Sequence, residues 1–279
     1  KFGCRPFEWF RRHDLLGDRF YYAHCVHINE EEVRQMAKTN TGIAHCPISN
    51  MFLNSGVSPI PAYLKAVHDY YTRIGIELEP GDMLATAGGS EALSMTLACI
   101  LDDGDELLTA EPFYPNYNTM TRTCGASIRP IPTCPEEGYR YADREKIESL
   151  INEHTRAIMV TNPGNPTGVV LSHEEMEMLV DVAQKHDLFL IGDEAYREFV
   201  YSGEKLQSFG EFADRAGDNI IVIDTVSKRF SACGARIGCL ISKNRELMNH
   251  AMKYCQARLS VATLDQVASA AVSYTHLTL

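Results

Sequence analysis

The chain has 279 residues, 45% of them apolar, with 37 acidic against 26 basic side chains and a formal net charge of −11. That is ample for a buried core and one or two domains, and with no basic block it argues against nucleic acid and anionic membrane as partners. No apolar run reaches membrane-spanning length, and nine cysteines without a CxxC pair point to free thiols in a reducing, cytoplasmic setting. In chain order, KFGCRPFEWFRRHD lacks an initiator Met and a signal-peptide core, so the chain reads as starting mid-protein. RFYYAHCV and TGIAHCP read as strands, with NEEEVRQMAKTN a helix between them whose glutamates favour its start.

From about residue 61 strands and helices alternate. YLKAVHDYYTRIG, EALSMTLACIL, REKIESLINEH and HEEMEMLVDVAQKH carry helical patterns. MLAT, ELLTA, ASIRPI, AIMVT, LFLIGD, IIVID and GCLIS are short, β-branched or aliphatic strands. This predicts an α/β fold, a mostly parallel sheet flanked by helices, with ligands bound outside the carboxyl ends of the strands. Four segments fall at such ends. AGGSEAL leads Gly88, Gly89 and Ser90 into a helix N-terminus, which suits a phosphate. NPGNPTG is a rigid turn presenting Asn165. DEAY places Asp193 at a strand end with Tyr196 three residues on, and TVSKRFSACGARIG follows IIVID with Lys228. Singly, these are a tight turn, a loop, an N-cap and a surface lysine; their joint order at predicted strand ends is what demands a common explanation.

GGSEAL, EPFYPNY, NPGNPTG, DEAY and SKRFSACGARIG together make residues 61 to about 271 resemble the large domain of the class I aminotransferases, pyridoxal-phosphate enzymes of fold type I. The resemblance implies that Lys228 links covalently to the cofactor aldehyde and later moves a proton. Arg236 and burial are expected to push its pKa down. It implies further that Asp193 pairs with the ring nitrogen, that Asn165 and Tyr196 bond the phenolic oxygen, and that Tyr114 covers the ring face. Gly89, Ser90, Glu91, Thr225 and Arg236 would hold the phosphate. The implied activity is aspartate-aminotransferase-like amino transfer between an amino acid and a 2-oxo acid, in a homodimer. The family's C-terminal small domain, with its substrate-clamping arginine, has no counterpart in the sequence, so a shell that binds cofactor without turnover is the alternative.

RPFEW, AHCVHINEEE and AHCPISNMFLNSG resemble instead the amidohydrolase superfamily, metal-dependent hydrolases of purine- or triazine-like rings. There His24 would be a metal ligand and His45 would lie near metal and substrate, both at strand ends of a partial β/α barrel. A lone histidine on a strand is otherwise structural, Cys25 and Cys46 lack zinc-ligand spacing, and the family's HxH pair is missing. The expected division is therefore residues 1–60, a fragment joined near SGVSPIPAYL; residues 61–271, the cofactor-binding domain; and residues 272–279, where SYTHLTL breaks a helix as a foreign tail resembling translated adapter sequence.

Overall fold

The computed structural model describes residues 3–23, 28–44, 62–201, 203 and 207–275. Its contacts divide into two units, Lys1–Pro61 with Cys255–Ser260, and Ala62–Tyr254 with Val261–Leu279. In the first unit lie α1 (Pro6–Arg12), β1 (Tyr21–Ala23), α2 (Glu30–Thr39) and β2 (Gly42–Ala44). β1 and β2 pair in parallel from Tyr21↔Gly42 to Ala23↔Ala44, so α2 is the crossover of one βαβ unit. The start of α2 is fixed reciprocally: the Asn29 side chain accepts from the Glu32 amide, and the Glu32 carboxylate accepts from the Asn29 amide. His24 and His45, the residues expected at a metal, lie outside the described residues.

The second unit contains α3 (Ala62–Arg73), β3 (Met83–Thr86), α4 (Gly89–Ile100), β4 (Glu106–Glu111), α5 (Asn116–Thr123), β5 (Ser127–Pro132), α6 (Arg144–Glu148) and β6 (Thr155–Thr161). Then come α7 (His173–Lys185), β7 (Phe189–Asp193), α8 (Ala213–Ala216), β8 (Ile220–Thr225), α9 (Val226–Arg229), β9 (Gly238–Ile241), α10 (Arg245–Arg258), which crosses the division at Cys255, and α11 (Thr263–Thr275). Seven strands form one sheet in the order β3-β9-β8-β7-β6-β4-β5. β5, β4, β6, β7 and β8 run parallel, while β9 is antiparallel to both β8 and β3. The expected α/β architecture is thus present.

Local chemistry explains the placement. All six residues of β8 are buried, as a central strand covered on both faces requires. β5 carries Pro130 and Pro132, which withhold ladder donors, and it lies at the sheet edge. α7 opens on a capping box between Ser172 and Glu175 and buries Met176, Leu179, Val180 and Ala183. Two expectations need correcting. The helix predicted across residues 144–154 stops at Glu148, and the chain turns through Ile151 into β6. The helix predicted to break at Ser273 runs on to Thr275, since Ser273, Tyr274 and Thr275 include neither Pro nor Gly.

Candidate active site

Strand direction brings the four flagged segments to one edge. β6, β7 and β8 end abreast, with Thr161 opposite Asp193 and Asp193 opposite Ile223. Gly238 of β9 lies between Thr86 and Thr225, the last residues of β3 and β8. Whatever follows these strands therefore opens on the carboxyl edge, where parallel sheets bind ligands.

Asp193 is the floor. Its Oδ2 accepts from the Tyr117 hydroxyl at 2.5 Å and its Oδ1 from the Ala195 amide at 3.1 Å. Burial pushes its carboxyl pKa up, against the pull of the Tyr117 hydroxyl and the Ala195 amide. No described cation pairs with it. Tyr117 is 1% exposed, and burial holds its phenol well above the ordinary value, so it remains a donor. Its oxygen also lies 2.9 Å from the Thr161 hydroxyl. Sequence reasoning passed over Tyr117 and Thr161 in favour of Tyr114. The signal was present in EPFYPNY, where Tyr117 follows Tyr114 by one helical turn. In the structure the two rings meet edge to face at 5.5 Å.

Lys228 stands on α9, whose start is capped by the Thr225 side chain accepting from the Ser227 amide. Its Nζ lies 5.6 Å from the centre of the Tyr196 ring and 3.9 Å from the Cys233 sulfur. The expectation of a lowered lysine pKa fails. Tyr196 raises it most, burial opposes, and Cys233 and Tyr114 add to the rise. The reading counted on Arg236, but that guanidinium bonds the Cys233 carbonyl at 2.9 Å and the Ala87 carbonyl at 3.2 Å. Arg236 has no carboxylate partner among the described residues.

Arg236 instead covers the glycine turn. Gly88 has φ +90°, and a Cβ there would run into the Arg236 guanidinium. A Cβ on Gly238 would lie 2.6 Å from the Gly88 carbonyl carbon and 2.7 Å from the Gly89 nitrogen. The bare turn, the first-turn amides of Gly89 and Ser90, and Arg236 form a cradle of donors. Glu91 is turned to structural use: its carboxylate accepts from the Ala87 amide at 2.7 Å and its own amide bonds the Gly88 carbonyl. The Thr225 hydroxyl is 2.9 Å from both Ser227 Oγ and the Ile237 carbonyl, so its single proton is already committed. Asn165 lines a small cleft with Thr109, Phe113, Tyr141 and Thr161, and its amide has no partner among the described residues. No group of three or more His, Cys, Asp or Glu among the described residues could hold a metal ion.

The edge thus offers an unpaired anion at Asp193, an unpaired cation and free amides at the glycine turn, and an amine at Lys228. Comparison with known proteins gives a family for the chain as a whole. The family described as aminotransferase class I and II matches residues 31–278. The chain is 34% identical over 180 residues to the probable aspartate/prephenate aminotransferase of Thermus aquaticus, covering 64% of this chain and 46% of that protein. It is 31% identical over 163 residues to the aspartate aminotransferase of Bacillus subtilis, covering 58% and 41%. The solved aspartate aminotransferase of Thermus thermophilus with maleate superposes with a TM-score of 0.73 at 28% identity, covering 88% of this chain and 60% of that one. The chain spans about half the length of the curated relatives it matches. A family match across most of the sequence, on the fold and edge geometry described, establishes that the chain belongs to the class I and II aminotransferases.

Proposed function

We propose that this chain binds pyridoxal 5′-phosphate, the cofactor of the class I aminotransferases, and serves amino-group transfer between an amino acid and a 2-oxo acid. The observation that carries the reading is the pair of uncompensated charges: half-buried Asp193 without a cation, and Arg236 beside free helix amides without an anion. A ligand with a protonated ring nitrogen at one end and a phosphate at the other answers both. The bare cradle at Gly88 and Gly238 and the amine of Lys228 fit the rest of that cofactor.

The chemistry pyridoxal phosphate supplies when bound is an electron sink for charge developing at the substrate Cα. The residues do the remainder. Gly89 and Ser90 amides and Arg236 would hold the phosphate. Glu91 and Thr225 would support that turn from behind, Glu91 through the Ala87 amide and Thr225 through the cap of α9. Asp193, held by Tyr117, would keep a positive charge at the ring nitrogen. Asn165 and Tyr196 would donate to the phenolic oxygen, and Tyr114 would lie against the ring face. Lys228 would hold the cofactor covalently and then carry a proton to and from Cα. The relatives suggest an aspartate-type or related substrate. A homodimer and a cytoplasmic setting belong to the same reading.

A second reading, in which these 279 residues taken alone bind the cofactor without turnover, is separated from the first by experiment. Titration with pyridoxal phosphate should give the visible absorbance of lysine-bound cofactor, lost in Lys228→Ala. An unchanged spectrum in that variant rejects both readings. Adding aspartate, alanine or an aromatic amino acid in a single-turnover experiment separates them, since bleaching of the band requires amino transfer.

We assign residues 1–60 to a separate segment, supported by the parallel pair β1 and β2 and by the division of contacts at Pro61. Its amidohydrolase resemblance rests on sequence motifs alone, and the aminotransferase match already begins at residue 31. The division at residue 271 is weakened by α11, which crosses it.

A further inference from the structure

We propose that Arg229 is a positioning residue for Lys228: by spanning Asp224 and Glu198 it fixes the short helix that aims the lysine amine at the Tyr196 ring. The inference rests on the cofactor reading for its purpose, and on geometry for its substance.

Lys228 and Arg229 are consecutive on a four-residue helix, so their side chains leave it about 100° apart. Lys228 points to the Tyr196 ring, whereas Arg229 turns inward with its side chain 14% exposed. One terminal nitrogen of Arg229 lies 3.0 Å from each Asp224 oxygen. Its Nε is 3.4 Å from Glu198 and its guanidinium sits 4.1 Å from the centre of the Tyr70 ring. Among the described residues it is the one α9 side chain in an ion pair.

Asp224 immediately precedes the residue that caps α9. Its carboxylate also accepts from the Thr225 amide at 2.6 Å and from Arg197 at 2.9 Å. Burial pushes its pKa up, but Arg229 and Arg197 outweigh burial and hold it below the ordinary value, so the charge persists. Arg197 is itself 1% exposed and bonds Glu194, the neighbour of Asp193. The network therefore ties the ends of β7 and β8, which carry the two key groups, to the helix bearing Lys228. Buried ion pairs add little stability over well-packed apolar groups, because desolvation offsets their attraction. Their directionality is what an apolar replacement would lack, and here it falls directly behind the lysine.

The test uses the full 279-residue chain, cofactor-free, as Arg229→Lys and Arg229→Met. Competitive acetylation with acetic anhydride across pH, read by mass spectrometry, reports the reactivity and titration midpoint of Lys228 against Lys185 and Lys243 in the same sample. Released from Tyr196, Lys228 should titrate lower, nearer an ordinary lysine, while the two reference lysines stay unchanged. Arg229→Lys should shift in the same direction, because one ammonium cannot span both carboxylates; should Arg229→Met fail to fold, this variant decides alone. A parent-like Lys228 profile in a folded variant overturns the proposal, whatever happens to its melting temperature. In parallel, pyridoxal phosphate is trapped with borohydride. Yield at Lys228 should fall about tenfold in the variants, the scale on which misplacement costs reactivity. Absence of trapping at Lys228 in the parent chain defeats the cofactor reading alone, since the acetylation profile still decides on Arg229.

Discussion

At Asp193 stability and ligand binding pull in opposite directions. Burial raises its pKa above that of the unfolded chain. Its ionisation therefore costs folding stability: none is lost below the ordinary carboxylate range, and the loss accumulates as pH rises through the raised value. Asp193→Asn should remove this part of the pH dependence. It should raise the cofactor-free melting temperature at neutral pH by about 2 °C, equivalent to roughly 1 kcal/mol. The same variant should bind pyridoxal phosphate more weakly by tenfold or so, one pKa unit's worth of lost charge pairing. A variant that melts lower and binds as well as the parent would contradict both halves. Tyr117→Phe should act oppositely on the fold, costing about 1–3 kcal/mol by leaving the Asp193 oxygen unsatisfied, measurable by denaturant unfolding. At Lys228 the raised pKa predicts that the visible band forms faster with rising pH, by about tenfold per unit while the amine is mostly protonated; a flat rate between pH 6 and 8 would refute the direction. Lys228, Asp193, Asn165 and Arg236 were legible because motif order placed them at strand ends. Tyr117 was not, because a buried tyrosine and a core tyrosine look alike until a partner is seen. Nor was the sign of the Lys228 shift, which depends on whether Tyr196 or Arg236 is the nearer group.

Elements were more legible than their ends. The strands from β3 to β9 were readable because each is a short β-branched or aliphatic run bounded by turn residues. The order β3-β9-β8 was not, since antiparallel insertion of β9 depends on tertiary pairing rather than on local pattern. α1 was missed although Pro6 stands at its start and Glu8 pairs with Arg11 and Arg12. Seven residues hold too little periodicity to stand out. One close approach between elements carries its own prediction. Gly238 of β9 passes the backbone of the glycine turn and the Asp224 carbonyl, where a Cβ would lie 2.6–2.9 Å from three backbone atoms. None of these can rotate away. Gly238→Ala should therefore push the turn and Arg236 apart, destabilising the domain by about 1–3 kcal/mol and weakening pyridoxal phosphate while binding of phosphate-free pyridoxal changes less. Equal loss for the two ligands would show that the strand, not the cradle, had been damaged.

At the scale of the whole chain, every residue assigned to the cofactor site lies between Gly88 and Gly238, within the unit that begins at Ala62. The large buried cluster that supports it, from Tyr63 through Leu190 to Val261, belongs to that unit too. Nothing in the proposed chemistry draws on residues 1–60. Removing them should leave the visible spectrum and the affinity for pyridoxal phosphate within about twofold of the parent, well below the tenfold that 1.4 kcal/mol would produce. The same reasoning predicts no hydrolase activity from those residues. A metal centre needs several ligands at fixed geometry with partners holding each in place. The sequence offers His24 and His45 without the HxH pair or the later aspartate that the amidohydrolase resemblance would require. Among the described residues of that segment, β1 and β2 form a two-stranded sheet of three residues each, where a closed barrel needs about eight strands. Dialysis against chelator-free buffer followed by metal analysis decides the matter. Zinc or iron retained at one per chain and lost in His24→Ala would establish a metal site there, and the first sixty residues would then have to be credited with a chemistry of their own.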